Sequence, residues 1–370
     1  MNIILAGGGT AGHINPAVTV AKTVRSKNPS SRILFIGNRD SLEEKLVKNA
    51  GFDMEFVKVE GLRRSLSLKN IKTLQMFLKS VSDCKKIIRD FKADMVVGTG
   101  GYVSGPAVYA AHLLGVKTCI HEQNAYPGVT SKFLSRYADC VFISFESSRK
   151  YFEKAKNIVL SGNPLDEAFL FCDKKSAREK LKIPQDAFYL LSFAGSLGAR
   201  EINKLFLDFI VKNKKNHDFI HTHATGSFGY KWMPDELKKR GVDIRDKSEI
   251  SVEEYIYDMP LRLAACDLVI SRAGAITLGE IMAQGKPSIL IPSPNVTPNH
   301  QYHNAMSLVE QGAALILEEK DATPDKLYSM ALNIKNDRAL AKSLGDNARK
   351  MAQLRAAEVI YRGMYDLMKK

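Results

Sequence analysis

Apolar residues are gathered along this chain into short, dense runs. In the first half these are NIILAG, RILFIG, MEFVKV, MVVG, TCIHE, CVFIS and IVLSG. Runs this short and this rich in Val, Ile, Leu and Phe predict strands buried on both faces, as in a parallel sheet. Between them, residues 14–27, 41–50, 70–91, 104–115 and 127–137 carry helical patterns. Strands separated by helix-length segments predict βαβ units with helices on both faces of the sheet. The alternation halts near 163–187, where NPLDEAF, a charged stretch and Pro184 predict a linker. It restarts with YLLSFAG, FIHTHATG, VDIRD, LVISRAG, SILIPSP and AALILEE, and residues 338–370 read as helical. The expectation is an α/β protein with two Rossmann-like domains, 1–163 and 164–349. The length of 370 residues agrees, at roughly 150 residues per domain.

Composition narrows the class. The longest apolar region, Pro106 to Ile120, contains His112 and Lys117. It falls short of the roughly 18 clean residues that a membrane span requires. The N-terminal apolar stretch is too short for a secretory signal. Five cysteines, odd in number and without C-x-x-C spacing, read as reduced thiols of a cytosolic protein. The net charge of +14 is uneven. Residues 1–163 hold 24 Lys/Arg and 13 Asp/Glu, a net of +11; the rest hold 30 and 27, a net of +3. An anionic partner for the first half and a generally basic background both fit that asymmetry.

Ligands of open α/β sheets bind beyond the carboxyl ends of the strands. Three glycine loops stand there: GGGTAGH (Gly7 to His13), GTGGYVSGP (Gly98 to Pro106) and AGSLGAR (Ala194 to Arg200). Glycine admits close backbone approach, and the N–H groups of the following helix favour an anion. Three such loops divided between two domains favour a diphosphate ligand. Gly7, Gly9 and Gly12 also fit the dinucleotide pattern G-x-G-x-x-G, and FIGNRD offers Arg39 or Asp40 for the ribose. From the first loop alone, an NADP enzyme stays open.

The set GGTAGH, GTGGYVSGP, HEQNAYPG, SRAGAITLGE and NHQYHNA, in that order between residue 3 and about 312, closely resembles the MurG family. The resemblance implies a GT-B glycosyltransferase fold, with two Rossmann-like domains facing across a cleft. It also implies that the C-terminal helix, about 350–370, packs back on the first domain. The implied reaction moves N-acetylglucosamine (GlcNAc) from UDP-GlcNAc to undecaprenyl-diphosphoryl-MurNAc-pentapeptide (lipid I). The product is lipid II, for peptidoglycan, cell-wall biogenesis and cell division.

By that resemblance UDP-GlcNAc is held by Thr10, Ala11, Gly12, Asn124, Ser196, Ile256, Ala275, Ile276, Thr277, Leu278, Gly279, Glu280 and Gln301. Glu280 would take the ribose hydroxyls, Gln301 the sugar hydroxyls and Ser196 the diphosphate, and the backbone of Ile256 would read uracil. Asp166 departs from the pattern, standing where several relatives carry a nucleotide-contacting arginine. Gly100, Gly101, Tyr102 and His121 would meet the acceptor. UDP-GlcNAc is α-linked and lipid II β-linked, so one inverting displacement with a base fits. His13 suits a base, since imidazole titrates near neutral pH. An orienting role on the acceptor diphosphate is the alternative, and Glu122 is the rival base. No metal or cofactor is expected. His221 and His223, alternate in a predicted strand, read as one-face core or surface histidines more readily than as a metal pair.

The segment Arg63 to Lys92 carries nine Lys/Arg against Asp83 and Asp90. Ile71, Leu74, Leu78 and Val81 fall near one helical stripe, which reads as core-facing with a basic rim. Leu62, Leu66 and Leu68 among Arg63, Arg64 and Lys69 form an expected loop suited to anionic lipid headgroups. The expected location is therefore peripheral, on the cytoplasmic face of the bacterial plasma membrane. Expected partners are UDP-GlcNAc, lipid I, anionic inner-leaflet lipids and other cell-wall synthesis and division proteins. Nucleic acid is not expected, because only Phe77 and Phe91 interleave those bases.

Overall fold

A computed structural model describes residues 1–60, 68–195, 197–245, 249–295 and 299–369, with the side chains of 68–74 excepted. The chain divides into two units, Met1–Leu165 with Gln353–Lys370, and Asp166–Ala352. The first holds β1 (Asn2–Ala6), β2 (Arg32–Gly37), β3 (Asp53–Phe56), β4 (Met95–Gly98), β5 (Lys117–Glu122), β6 (Cys140–Ile143) and β7 (Ile158–Leu160). Their order is β3-β2-β1-β4-β5-β6-β7, and every pairing is parallel. The second holds β8 (Tyr189–Phe193), β9 (Ile220–Ala224), β10 (Ile250–Glu253), β11 (Leu268–Ser271), β12 (Ser288–Leu290) and β13 (Leu315–Ile316). Their order is β10-β9-β8-β11-β12-β13, again all parallel.

The apolar runs explain this arrangement. Ile3, Ile4, Leu5 and Ala6 are all fully buried, odd residues against one helical layer and even residues against the other. The helix Ala356–Lys369 joins the first unit, where Ile360 and Met364 pack with Ile14, Ala17 and Phe142.

Two expectations are corrected. The strand expected at VDIRD is a turn, in which Arg245 N–H donates to Asp243 Oδ1 at 3.0 Å and the two side chains pair. The edge strand is Ile250–Glu253, which has three consecutive buried residues to lay along β9. The expected linker at 163–187 carries helices Ala168–Phe171 and Lys174–Leu181. Asp173 caps the latter by accepting from Ser176 N–H at 2.9 Å. Its Arg178 is 1% exposed, pairs with Asp267 and donates to the carbonyls of Pro184, Gln185, Ala187 and Ala265. That network satisfies a guanidinium too costly to bury unpaired.

In each sheet the strand order reverses direction once, between β1 and β4 and between β8 and β11. These are the switch points at which α/β sheets open a crevice for ligands. The three glycine loops and SRAG follow those four strands.

Candidate active site

The first switch point is built by two loops pressed together. Gly8 N–H donates to Gly100 O at 3.3 Å. A Cβ on Gly101, which has φ +76°, would stand 2.2 Å from Gly8 O. A Cβ on Gly100, at φ +105°, would stand 2.6 Å from the His13 ring. A Cβ on Gly7 would stand 2.1 Å from Thr99 Oγ1. These glycines are therefore required for one loop to lie on the other, whatever ligand is bound.

Within this frame His13 sits in the first turn of the helix Ala11–Lys27. Its Nδ1 lies 3.0 Å from Gly8 O and 3.3 Å from Thr10 Oγ1. A carbonyl only accepts, so Nδ1 carries the proton and Nε2 presents the lone pair. Its own carbonyl accepts from Thr99 Oγ1 at 2.8 Å, which ties the helix start to β4. Thr10 and Ala11 are exposed and Gly12 half-buried, at a helix start whose first N–H groups have no intrahelical partner. Tyr102, 59% exposed, stands at the mouth of the second loop.

His121 and Glu122 at the end of β5 face inward instead. His121 is fully buried; its Nε2 donates to Gly162 O at 3.0 Å and its Nδ1 accepts from Gln123 Nε2 at 3.0 Å. Burial pushes this imidazole down to about 4. Both ring nitrogens are thus engaged within the first unit. Glu122, 2% exposed, accepts from Asn124 N–H and Asn124 Nδ2 with one oxygen, each at 3.0 Å, and from Gly128 N–H with the other at 3.1 Å. It shapes the loop that carries Asn124.

In the second unit, Gly198 and Gly226 are pressed together as Gly101 and Gly8 are. A Cβ on Gly198 would stand 1.9 Å from Thr225 O. Gly195, with φ +90°, has open space where its Cβ would be. Ser196 lies outside the described residues. The helix Ala275–Gln284 starts directly after β11 and SRAG, presenting Ala275, Ile276 and Thr277 in its first turn. Leu278 is fully buried and its N–H donates to Gly274 O at 2.9 Å, so it and the buried Gly279 serve packing. Glu280 is half-buried with an accessible edge, and burial holds its carboxyl above the usual range. Ile256 has its side chain buried in the loop after β10, and exposed Asp166 accepts from Ala168 N–H at 3.0 Å.

Sequence reasoning missed the braces. Arg272 donates to the carbonyls of Ile291 and Pro292, each at 3.1 Å, and pairs with Glu319. Gln301 Oε1 accepts from Ser293 N–H at 2.8 Å. Asn304 Nδ2 donates to Ala273 O at 3.2 Å. SRAG and NHQYHNA thus hold one another, a coupling that their separation in sequence conceals. A groove of about 860 Å³ beside them is lined by Glu201, Asp208, Glu318 and Glu319 against Lys204 and Lys320. That excess of carboxylates suits a diphosphate poorly, whereas a helix N-terminus suits it well. His221 and His223 are buried side by side, both bonded to Ser192 Oγ, at 2.7 and 2.8 Å.

Of the residues expected to meet lipid, Leu62, Arg63, Arg64 and Leu66 lie outside the described residues. Leu68 and Lys69 fall in the opening turn of the helix Leu68–Phe91, which starts earlier than the expected 70. Val81, Cys84 and Ile88 form its core stripe, while Leu78 is 59% exposed and departs from it. Among the described residues no helix is long and apolar enough to cross a membrane.

Two parallel Rossmann-like sheets with glycine loops at both switch points give the GT-B fold, and the family models make the chain a glycosyltransferase. The Glycosyltransferase family 28 N-terminal domain model matches residues 3–143, and the family 28 C-terminal domain model matches 189–360. A protein of Acetivibrio thermocellus is 41% identical over all of this chain and 99% of its own length. One from Bacillus cereus is 40% identical over the full length of both. Both are named UDP-N-acetylglucosamine–N-acetylmuramyl-(pentapeptide) pyrophosphoryl-undecaprenol N-acetylglucosamine transferase. The crystal structure of Acinetobacter baumannii MurG covers 99% of each chain with a TM-score of 0.79 at 26% identity. A UDP-GlcNAc 2-epimerase from Neisseria meningitidis matches at 0.69 and 14% identity, which shows the shared fold alone. This chain belongs to the MurG family of glycosyltransferases.

Proposed function

We propose that this chain transfers GlcNAc from UDP-GlcNAc to the 4-hydroxyl of MurNAc in lipid I, with inversion, giving lipid II. The observation that carries the reading is the end-to-end relation, at about 40% identity, to proteins named for that transfer. The test is radiolabel transfer from UDP-GlcNAc to a lipid I analogue by the purified full chain. Absence of turnover together with NADPH binding would overturn it.

In this reading the unit Asp166–Ala352 holds the donor. The first-turn N–H groups at Ala275 to Thr277 and the loop at Gly195 and Ser196 meet the diphosphate. The Ile256 backbone reads uracil, Glu280 takes the ribose and Gln301 the sugar. As UDP departs, fixed N–H groups at the helix start stabilise the charge it gains. The loops at Gly12, Asn124, Gly100, Gly101 and Tyr102 serve the acceptor and the transferred sugar. His13 Nε2 takes the proton of the 4-hydroxyl as its oxygen attacks the anomeric carbon. The fixed tautomer supports His13 as base over Glu122, whose oxygens already serve the Asn124 loop.

Donor and acceptor contacts should therefore separate kinetically. Glu280→Ala and Gln301→Ala are expected to raise the KM for UDP-GlcNAc with little change in that for lipid I. Tyr102→Ala should do the reverse. Equal shifts for both substrates in folded variants would count against the division.

The lipid tail requires contact with a bilayer. Exposed Leu78, Leu113, Val129 and Phe133 lie on neighbouring helices of the first unit, alongside Lys79, Lys132 and Arg136. Apolar side chains ringed by bases suit anionic headgroups, at about 1 kcal/mol per base near the surface. Changing Arg63, Arg64 and Lys69 together to Glu should weaken flotation with anionic vesicles. Undiminished binding would move the contact off this segment. The exposed apolar and basic side chains support a peripheral position on the membrane; the cytoplasmic face belongs to the same reading.

A further inference from the structure

Glu43 is a carboxylate buried to 2% exposure beneath the first glycine loop, and no motif draws attention to it. Its Oε2 accepts from Gly9 N–H at 3.2 Å and its Oε1 from Asn38 N–H at 3.3 Å. A Cβ on Gly8 would stand 2.8 Å from its carboxylate. Gly9 N–H and Gly8 C=O belong to one peptide group, and a trans peptide aims them in opposite directions. On the carbonyl side lies His13 Nδ1, at 3.0 Å. The order is therefore carboxylate, peptide N–H, peptide C=O, imidazole N–H. Gly8 is buried, and Gly101 closes over its carbonyl, so this peptide sits in a low-dielectric setting.

We propose that Glu43 is a positioning residue that acts on His13 through the Gly8–Gly9 peptide, fixing its tautomer and strengthening Nε2 as a base. Linked hydrogen bonds polarise one another. The carboxylate draws on the N–H, the Gly8 oxygen gains negative charge, and it holds the Nδ1 proton more firmly. Carboxylates that orient metal-binding histidines do the same directly; here a peptide stands between. Glutamate suits the site because two N–H donors require two acceptor oxygens. Glutamine offers one, and its amide would oppose the other N–H.

Other groups near His13 do not duplicate this. Glu44, on the same helix as Glu43, is spent on Lys48 and on Asp40 N–H. Glu122 is spent on Asn124 and Gly128. Thr10 contributes a hydroxyl, Thr99 bonds the His13 carbonyl, Tyr102 is exposed, and Arg39 lies over the Phe56 ring.

The importance of the relay for turnover rests on the reading of His13 as base; the relay itself does not. The test is a nitrogen-15 NMR titration of the histidines in the full chain, assigned with His13→Gln, beside kcat against pH. In the unaltered protein His13 should hold its proton on Nδ1; an Nε2-protonated ring overturns the proposal without any variant. Glu43→Gln should mix the tautomers, lower the His13 titration midpoint and cut kcat by roughly 3–10-fold, following Brønsted behaviour. The KM for UDP-GlcNAc should hold. Glu43→Asp, which keeps the charge, should restore much of the midpoint. A midpoint and tautomer unmoved by Glu43→Gln refute the relay and leave His13 as base untouched. A moved midpoint with unchanged turnover supports the relay and removes His13 from the chemistry.

Discussion

Replacing His13 with alanine should lower kcat by roughly 10²–10⁴, the range for a lost acid–base group, with little change in the UDP-GlcNAc Kd. The expectation follows from position and tautomer. His13 belongs to the first unit, whereas Ile256, Ala275 to Thr277, Glu280 and Gln301, which hold the nucleotide and sugar of the donor in this reading, belong to the second. Its Nδ1 is committed to Gly8 O, so Nε2 alone can take a proton. The kcat profile should lose its acidic limb if chemistry limits the rate. His13→Gln separates the two roles: it keeps a hydrogen-bonding side chain but cannot accept a proton usefully. A glutamine variant with most of the activity, paired with weaker lipid I binding, would make His13 an orienter of the acceptor diphosphate. A larger kcat loss in Glu122→Gln, with the acidic limb gone, would hand the base role to Glu122.

Gly100→Ala provides a check on the same geometry from the other loop. Its added methyl would enter the space of the His13 ring, and φ of +105° strains any side chain there. The two substitutions should resemble each other in kcat because they disturb one nitrogen.

How much of this was legible beforehand depended on where each residue's partners lie. The strands could be read because β1, β4 and β11 are apolar on both faces, a property carried within four or five consecutive residues. VDIRD misled because Val242 and Ile244 alternate as in a strand, while Asp243 and Arg245 satisfy each other locally and form a turn. The helix Lys174–Leu181 was hidden by its charge; only burial of Arg178 against Asp267, far along the chain, gives it an inner face. The glycine loops were plain, but the reason for their glycines was not. Gly100 and Gly101 answer to His13 and Gly8, about 90 residues away. Glu43 and Arg272 carried no signal, since each bonds backbone of a distant loop. His121 looked accessible at a strand end, and Gly162 and Ser144 are what turn it inward.

Those inward histidines set the acid stability of the protein. His121 is pushed down to about 4 and His223 to about 3, and His221 is also lowered, all by burial. Their bonds define the neutral forms. Asn203 Nδ2 donates to Thr225 O, so its Oδ1 accepts from His223 Nε2, and Ser192 Oγ then donates to His223 Nδ1. Ser192 in turn accepts from His221 Nε2. Protonating any of these rings would place a second N–H where a donor already points, or bury a bare charge. An unfolded chain binds these protons near the ordinary value of about 6.5. Between that value and the folded values the unfolded state holds more protons, so stability rises with pH. The contribution is complete above about 6.5 and is lost as pH falls toward 4. At pH 5 His121 and His223 should each cost about 2 kcal/mol relative to pH 7, and His221 acts in the same direction. The salt-bridged carboxylates, such as Asp243 and Glu44, are lowered, so their contribution is complete at neutral pH and is lost only as pH falls below their ordinary values of about 4. Loss between pH 6.5 and 5 therefore belongs to the histidines, opposed in the second unit by Glu280, whose carboxyl burial raises to about 8, so that the folded state holds the extra proton and gains stability as pH falls. Urea unfolding at pH 7, 6 and 5 should show the midpoint falling steeply, with His121 weakening the first unit and His221 and His223 the second. His121→Gln should flatten the pH dependence of the first unit even where it lowers stability overall. A midpoint constant from pH 7 to 5 would mean that these rings are reached by water and protonate in the folded state.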